Sequence, residues 1–307
     1  MDEGRARGIK VAIDVPSGLP ANTGNPPGVA IEADMTVTMG LLKLGTLVPE
    51  AKKYVGNQKV ASVGYPDVLI RNEPGVWGLV EEQVARDLLP SRPPAGHKGN
   101  FGSLLIIGGS TGMTGAPILS AKSGLRSGTG LVYLAGPESL NQVFETNLIE
   151  GLTVPLPDKG GFLGPESIDS LRRAVKDKDA VAIGPGLSRE EGTRSMVIDF
   201  LSQCSRPAVI DADGVVAFSG QLDVLKDSAE LVLTPHPGEL AKLLDVSPSE
   251  VDRKRYDIVP DLARELKVTL LLKGVPTVIG SPSGETAVIH CPNSGLAKGG
   301  SGDVLTG

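Results

Sequence analysis

Residues 103–136, SLLIIGGSTGMTGAPILSAKSGLRSGTGLVYLAG, contain the pattern that decides the fold. The apolar run SLLII ends in two glycines, the helix-like stretch GAPILSAKSGLRSG follows, and a second apolar run, LVYLAG, comes after it. Apolar strands that alternate with helices are typical of parallel sheets covered by helices on both faces. The sequence therefore predicts an α/β protein with a central, mostly parallel sheet flanked by helices.

The same alternation continues towards the end of the chain. Strands are predicted at AVAIG, PAVIDAD, ELVLTP, TLLLK, TVIG and TAVIH, and helices at SIDSLRRAV, TRSMVIDFLSQ, GELAKLL and VPDLARELK. Because the last three strands follow one another without a helix, we expect them to form a meander at one edge of the sheet.

The segment before residue 91 has a different organisation. Strand-like runs occur, without a convincing helix between them, at 11–15, 35–39 and 59–65. A helix is predicted at LVEEQVARDLL, and the following SRPPAG has two prolines and a glycine that are typical of a domain boundary.

Two domains are therefore predicted, residues 1–90 and residues 91–307. The first resembles the closing edge of a Rossmann-like sheet without its earlier strands. The second stops at GGSGDVLTG, where a glycine loop begins a helix. Since a natural domain rarely ends on such a loop, we expect both ends to be truncated relative to a parent protein.

Charge and composition argue against several classes of function. The net charge is −6, whereas a nucleic-acid or membrane-surface binder needs a dense basic patch. Cys204 and Cys291 lack metal-ligand spacing, so neither a disulfide framework nor a zinc site is predicted, and both thiols are expected to be buried. The opening MDEGRARGIK lacks the apolar stretch of a signal peptide. We expect a cytoplasmic protein with no nucleic-acid and no membrane partner.

The motif NSGLAKGGSGD at 293–303 is the strongest candidate for chemistry. Its glycines let backbone N–H groups approach a phosphate, and the start of a helix adds a favourable dipole. Asp303 could then accept a proton from a substrate. The alternative is a structural glycine loop in which Asp303 caps the helix N-terminus.

Three other strand ends carry residues that could contact a ligand. Two prolines flank His236 in LTPHPGE, which favours substrate contact or a structural role over general base catalysis. Lys273 ends one strand and Thr277 begins the next, a pair suited to phosphates, although a lysine at a strand end is more often a solvated charge. For Asp211 and Asp213 in VIDADG, helix capping competes with metal or substrate contact.

The first glycine turn does not match a dinucleotide-binding fingerprint. GGSTGMTGA lacks the pattern G-x-G-x-x-G, and no acidic residue closes a short βαβ unit at the expected distance. A Rossmann dehydrogenase is therefore not expected.

Seven elements, taken in order, resemble the NAD(P)H-hydrate dehydratase family over residues 95–307. They are HKGNFG, GGSTGMTGA, GPG, DADG, TPHPGE, KG with Thr277, and N-x-x-x-L-A-x-G-G-S-G-D. The resemblance implies a ribokinase-like α/β fold. It also implies a lyase that repairs hydrated NADH and NADPH: ADP or ATP phosphorylates the added hydroxyl, and phosphate then leaves.

The resemblance also implies roles for individual residues. Those expected to contact the hydrated nicotinamide nucleotide are Ala116, Gly186, His236 and Asp303. Those expected to hold the adenine nucleotide are Lys273, Gly274, Val275, Pro276, Thr277 and Gly302. Asp303 is the expected catalytic base, and magnesium is expected on the nucleotide. A fused bacterial-type architecture favours ADP over ATP.

The opening segment resembles the end of the NAD(P)H-hydrate epimerase domain that is often fused ahead of this dehydratase. The similar stretches are AIDVPSGLPANTG and ADMTVTMGLLKLG. The resemblance implies that Asp14 contacts substrate and that Ser17 contacts potassium. Because the front of the epimerase sheet is absent, we expect no epimerase activity, and we expect strands without their neighbours to expose apolar surface.

Two other functions compete with repair. A ribokinase-like kinase acting on a small molecule such as a vitamin precursor would share the glycine loop and the base, but TPHPGE and HKGNFG argue against it. A catalytically silent nucleotide-binding module would have no need of Lys273 and Asp303. A homo-oligomer is expected.

Overall fold

The computed structural model describes residues 8–73, 75–226, 228 and 230–307, so the first seven residues of MDEGRARGIK lie outside the described part. The chain forms two compact units. The first contains the residues up to Val80 together with Val275–Thr277 and Val288–Pro292. The second contains Glu81–Gly274, Val278–Ala287 and Asn293–Gly307. The division at residue 90 stays a prediction about separately folding domains.

A three-stranded parallel sheet organises the first unit. Its strands, in spatial order, are β1 (Val11–Ile13), β2 (Met35–Met39) and β3 (Asn57–Ala61). Met35 pairs with Val11 on one side and with Asn57 on the other, which fixes the register. The three predicted strands are confirmed, although β3 begins and ends earlier than the predicted run at 59–65.

Short helical elements join β2 to β3, so the prediction of no helix between these strands was wrong. Two single turns, Leu44–Thr46 and Pro49–Ala51, lead into α1 (Lys52–Val55). Pro49 suits the first position of its turn, because its φ is fixed near helical values and no N–H bond is needed there. These turns are too short to produce a helical period of apolar residues. The unit continues with α2 (Asp67–Asn72) and β4 (Gly78–Leu79).

Apolar side chains of the first unit are exposed along β1, as the sequence predicts. Val11 and Ile13 have exposed fractions of 54% and 70%, and Ile9, just before them, reaches 80%. Alternate residues of a strand share one face of the sheet. These three side chains therefore form one apolar row on this unit.

The sheet of the second unit is built mainly from parallel strands. In chain order they are β5 (Ser103–Ile107), β6 (Leu131–Pro137), β7 (Leu152–Leu156), β10 (Ala180–Ile183), β11 (Ala208–Ile210), β12 (Leu231–Leu233) and β13 (Thr269–Leu272). Their spatial order is β7-β6-β5-β10-β11-β12-β13, with every neighbouring pair parallel. Next come β14 (Thr277–Gly280), antiparallel to β13, and β15 (Thr286–Ile289). The expected meander of the last three strands is confirmed.

Helices connect and flank these strands. They are α3 (Glu82–Leu88), α4 (Gly115–Ser127), α5 (Asn141–Asn147), α6 (Ile168–Ala174), α7 (Glu191–Gln203), α8 (Asp213–Val216), α9 (Asp223–Lys226), α10 (Pro237–Leu244), α11 (Pro248–Arg253), α12 (Arg255–Leu266) and α13 (Ser301–Thr306). Leu105, Ile106 and Ile107 of β5 are fully buried on both faces of the strand, as expected for a sheet covered by helices. The predicted fold class is therefore confirmed. Within the described ranges, each helix is too short or too polar to cross a bilayer.

The stretch between β6 and α6 was not predicted. It contains α5, β7 and a hairpin of β8 (Asp158–Lys159) and β9 (Phe162–Leu163). Pro155 inside β7 obscures that strand in the sequence, and the structure accommodates it because β7 is the edge strand of the sheet.

The prediction that both cysteines are buried was half wrong. Cys204 is buried directly after α7, whereas Cys291 is exposed. Cys291 follows the end of β15, so its side chain no longer alternates into a packed sheet face.

Candidate active site

The candidate site lies at the carboxyl ends of the parallel strands of the second unit. Gly108 follows β5, Gly184 follows β10 and Asp211 follows β11. Lys273 follows β13 in the same way. Parallel strands bring their carboxyl ends to one edge of the sheet, which is where α/β proteins bind ligands.

Asp211 and Lys273 form the charged centre of this edge. The ammonium of Lys273 lies 2.7 Å from Oδ1 of Asp211 and 3.8 Å from Oε2 of Glu239. The Asp211 side chain is only 2% exposed, and that of Lys273 is 20% exposed. The solvated-charge alternative for Lys273 is therefore wrong, because a buried carboxylate draws its ammonium into the protein.

Asp303 is the third residue of α13, and Gly300 occupies the N-cap position. Gly300 has φ of +91°, a left-handed conformation that favours glycine, so the helix begins at Ser301. The alternative in which Asp303 caps this helix is therefore wrong. Burial raises the pKa of Asp303 above its ordinary value, the charge of Asp211 raises it further, and Lys273 opposes both effects.

Two buried hydroxyl groups on α4 fix the backbone around Asp303. The Ser120 hydroxyl donates to the carbonyl of Asp303 at 2.8 Å, and the Ser123 hydroxyl donates to the carbonyl of Val304 at 2.6 Å. Ser120 and Ser123 are three residues apart, so they lie on the same face of α4. This face of α4 therefore positions α13.

The side of α13 that carries Thr306 is tied to Asp211. The hydroxyl of Thr306 lies 2.6 Å from Oδ2 of Asp211, and both residues are buried. Gly302 lies on the same side, since a β-carbon at this position would be 3.3 Å from Nζ of Lys273. The structure therefore brings together Lys273, Gly302 and Asp303, which the resemblance had placed in two binding sites.

Gly186 and Ala116 form a second contact in the same unit. Gly186 has φ of +65°, and a β-carbon there would lie 2.4 Å from the carbonyl oxygen of Met113 and 3.3 Å from Cβ of Ala116. The hydroxyl of Ser110 donates to the carbonyl of Gly186 at 2.8 Å. Only glycine fits this close approach between the turn after β10 and the start of α4.

His236 is the N-cap of α10. Its Nδ1 accepts the backbone N–H of Gly238 at 3.0 Å and of Glu239 at 3.2 Å, and the Glu239 carboxylate accepts the N–H of His236 at 2.7 Å. Because Nδ1 accepts two donors, this geometry assigns the ring proton to Nε2. The structural role that the prolines suggested is present, while substrate contact by His236 stays a prediction.

Asp213 has a local structural role at the start of α8. Its carboxylate accepts the N–H of Ser188 at 3.2 Å and pairs with Arg189 at 2.8 Å. It thereby fixes the turn after β10 that contains Gly186. Among the described residues, no group of three His, Cys, Asp or Glu side chains could hold a metal ion.

The remaining predicted nucleotide contacts follow Lys273 along the chain. A β-carbon on Gly274, which has φ of +144°, would lie 3.0 Å from the Arg255 guanidinium. Val275 and Pro276 lead into Thr277, the first residue of β14. Their contact with nucleotide stays a prediction.

Asp14 and Ser17, the residues expected to belong to the epimerase site, lie after β1. Asp14 has φ of +69° and accepts the N–H of Met39 at 2.9 Å. Its ion pair with Lys43 at 2.8 Å and this hydrogen bond hold the pKa of Asp14 below its ordinary value. Ser17 is exposed, and its carbonyl accepts the N–H of Ile31 at 2.9 Å.

Several site residues were missed or left without a role by the sequence. They are Ser120, Ser123, Glu239 and Thr306. Of these four, only Glu239 could have been predicted from the sequence, because a glutamate three residues after an N-cap is the pattern of a capping box.

This mostly parallel sheet, flanked by helices and with polar side chains at the carboxyl ends of its strands, defines an α/β protein with a ribokinase-like fold. A ribokinase-like protein from Enterococcus faecalis is similar in fold at 24% identity, with a TM-score of 0.62 over 75% of this chain and 77% of that one. The family model for NAD(P)H-hydrate dehydratase matches residues 104–307, and the chain belongs to that family. A second model, the YjeF-related protein N-terminus, matches residues 4–45.

Individual relatives agree with this assignment. The ADP/ATP-dependent NAD(P)H-hydrate dehydratase of Bacillus subtilis, co-crystallised with ATP and Mg²⁺, is 31% identical with a TM-score of 0.64, covering 75% of this chain and 78% of that one. The bifunctional NAD(P)H-hydrate repair enzyme Nnr of Moorella thermoacetica is 41% identical over 97% of this chain and 56% of its own length. That of Escherichia coli is 34% identical over 97% of this chain and 55% of its own length. The chain thus spans little more than half the length of these two curated relatives.

Proposed function

We propose that this chain is a nucleotide-dependent dehydratase that repairs hydrated NADH and NADPH. ADP, or ATP in its place, phosphorylates the hydroxyl that water has added to the nicotinamide ring. Loss of phosphate then restores the ring double bond, giving NADH or NADPH, phosphate and, from ADP, AMP. The observation that carries the proposal is the meeting of Lys273 with Gly302 and Asp303 at one sheet edge, in a member of the dehydratase family.

Each group at this edge has a task in phosphoryl transfer. Asp303 takes the proton of the substrate hydroxyl, and its raised pKa makes it a stronger proton acceptor than an ordinary carboxylate. Lys273 neutralises phosphate charge, and Gly302 leaves room for phosphate oxygens near its N–H. Phosphoryl transfer depends mainly on such positioning and charge stabilisation.

Magnesium fits this scheme as a partner of the nucleotide. The Bacillus subtilis relative was co-crystallised with ATP and Mg²⁺. Asp211, the most buried carboxylate at the edge, already contacts Lys273 and Thr306. We therefore propose that phosphate oxygens supply most magnesium ligands, and that the ion neutralises charge on the transferred group.

The substrate and nucleotide assignments follow the resemblance. Ala116, Gly186 and His236 would contact the hydrated nicotinamide nucleotide, while the segment from Lys273 to Thr277 would hold ADP. In the first unit, Asp14 and Ser17 would belong to the substrate and potassium site of the epimerase. A homo-oligomeric state and a cytoplasmic location stay predictions from the sequence.

The test is recovery of the near-ultraviolet absorbance of reduced nicotinamide. Hydrated NADH, magnesium and ADP or ATP are added to the protein, to its Asp303→Asn variant and to Asp169→Asn, a control with an 83% exposed carboxylate. We expect recovery with the protein and the control, and none with Asp303→Asn.

Other outcomes point to the competing functions. Phosphate retained on a stable product would indicate a small-molecule kinase. Nucleotide binding without turnover of folded protein would indicate a silent binding module. Either result would contradict the dehydratase proposal.

A further inference from the structure

The Asp211 carboxylate joins two elements of the site that are distant in sequence. Its Oδ1 lies 2.7 Å from the ammonium of Lys273, and its Oδ2 lies 2.6 Å from the hydroxyl of Thr306. The residue as a whole is 1% exposed. A buried carboxylate is tolerated when both oxygens have polar partners, and here each partner comes from a different element.

These two partners lie next to the groups that the proposed reaction requires. Lys273 is the proposed nucleotide contact after β13. Thr306 comes three residues after Asp303, so the two residues occupy the same side of α13 one turn apart. We infer that Asp211 is a positioning residue: by holding Lys273 and Thr306 together, it sets the distance between the nucleotide-binding lysine and the base Asp303. This inference rests on the proposed function.

Two kinds of contact hold α13. On the α4 side, neutral hydroxyl groups of Ser120 and Ser123 bind backbone carbonyls. At Thr306, Asp211 supplies a negative charge as well as a hydrogen-bond acceptor. Removal of this charge should therefore change both the placement of α13 and the electrostatics at Asp303.

The charged groups around Asp303 determine in which direction its pKa should change when the Asp211 charge is lost. Asp211 raises the pKa of Asp303 and Lys273 lowers it, while Glu239 lies beyond Lys273 at 3.8 Å. The charged residues of the adjoining α4, Lys122 and Arg126, are both exposed. Loss of the Asp211 charge removes a raising effect and releases Lys273, so the pKa of Asp303 should fall.

Three variants of the full chain test the inference. Asp211→Asn keeps the shape and removes the charge, Thr306→Val removes the hydroxyl and keeps the charge, and Asp169→Asn is the exposed control. We measure kcat and KM for NADH-hydrate repair across a range of pH, and we follow the Asp303 carboxyl by carbon NMR, assigned with Asp303→Asn.

A positioning role predicts a specific combination of results. Asp211→Asn should lower kcat by about tenfold or more, as expected when reacting groups move by a fraction of an ångström. The acidic limb of its kcat profile, and the NMR titration of Asp303, should both move to lower pH. Thr306→Val should lower kcat with a smaller movement of the limb, and the control should match the natural protein.

The inference and the proposed function fail in different ways. If the natural protein repairs hydrated NADH and Asp211→Asn keeps both its kcat and its pH profile, the inference is wrong and the function stands. If Asp211→Asn does not fold, an unchanged kcat in Thr306→Val overturns the inference alone. If the natural protein shows no repair, the proposed function is wrong. If, in addition, Asp211→Asn does not change the pH at which the Asp303 carboxyl titrates by NMR, the positioning role is wrong as well.

Discussion

Lys273 reaches across the end of a neighbouring strand to pair with Asp211. β11 and β13, which precede the two residues, are separated by β12 in the sheet. Neighbouring strands lie about 4.8 Å apart, so these two strands are about 10 Å apart and the long lysine side chain covers most of that distance. The resulting 2.7 Å ion pair crosses the carboxyl end of β12, where the chain continues to His236.

Breaking this ion pair should destabilise the protein strongly, because a buried charge is then left without its partner. Lys273→Met leaves the buried Asp211 carboxylate without its counter-charge, and we expect the free energy of unfolding to fall by about 3 kcal/mol. Urea denaturation measures the free energy of unfolding, and Lys122→Met, at an exposed lysine, is the matched control. In Lys273→Met with Asp211→Asn, the loss should be smaller than the sum of the two single losses. If Lys273→Met is as stable as the natural protein, the ion pair with Asp211 does not contribute to stability as expected.

Gly186 should tolerate a methyl group poorly. Gly186→Ala places Cβ 2.4 Å from the Met113 carbonyl oxygen, and φ of +65° is unfavourable for alanine. Gly220, at φ of +78° with open space around it, is the matched control. We expect about 1 kcal/mol of destabilisation for Gly220→Ala from conformation alone. Gly186→Ala should lose about 2 kcal/mol or more because the start of α4 must also shift.

The KM for the hydrated nucleotide should also distinguish the two glycine variants. A shift of Ala116 at the start of α4 should raise KM for the hydrated nucleotide in Gly186→Ala, and Gly220→Ala should retain the natural KM. Equal losses of stability and equal KM values would indicate that the close approach at Gly186 is unimportant.

The sequence predicts this fold well because its central strands are buried on both faces. The run LLII at 104–107, for example, carries no polar residue that could face solvent, and a glycine follows it where the strand ends. The topological rule that the carboxyl ends of parallel strands meet at one edge then places Asp211, after β11, and Lys273, after β13, at the same edge of the sheet.

The pairings inside the site could not be predicted in the same way. Thr306 and Asp211 are 95 residues apart, and neither side chain carries a pattern that names its partner. Ser120 and Ser123 look like ordinary polar positions of a helix, although their hydroxyl groups are buried against α13. The start of α13 was also ambiguous, because Gly299, Gly300 and Gly302 offer several places at which a helix could begin.

The two cysteines should react with thiol reagents at very different rates. Cys204 is 9% exposed and burial raises the pKa of its thiol, so little thiolate is available at neutral pH. Cys291 is exposed. We expect one thiol per chain to react rapidly with a chromogenic disulfide reagent and the second only after denaturation. Cys291→Ser should abolish the rapid phase, while rapid labelling that persists in this variant would show that Cys204 is accessible.

Asp303 should make the protein less stable at neutral pH than an uncharged residue would. Its pKa in the folded chain is raised above the ordinary value of 3.8, so the protonated form is favoured on folding. Protonation of Asp303 in the folded chain therefore adds stability that is fully present below pH 3.8 and is lost as the pH rises through the pKa of the folded state. Asp303→Asn should therefore have a higher Tm than the natural protein near neutral pH, with a difference that disappears as the pH is lowered towards 3.8. Scanning calorimetry of both proteins and of Asp169→Asn, over matched buffers, checks this. A Tm difference of the opposite sign, or one that does not vary with pH, would mean that Asp303 is not held in a site that disfavours its charge.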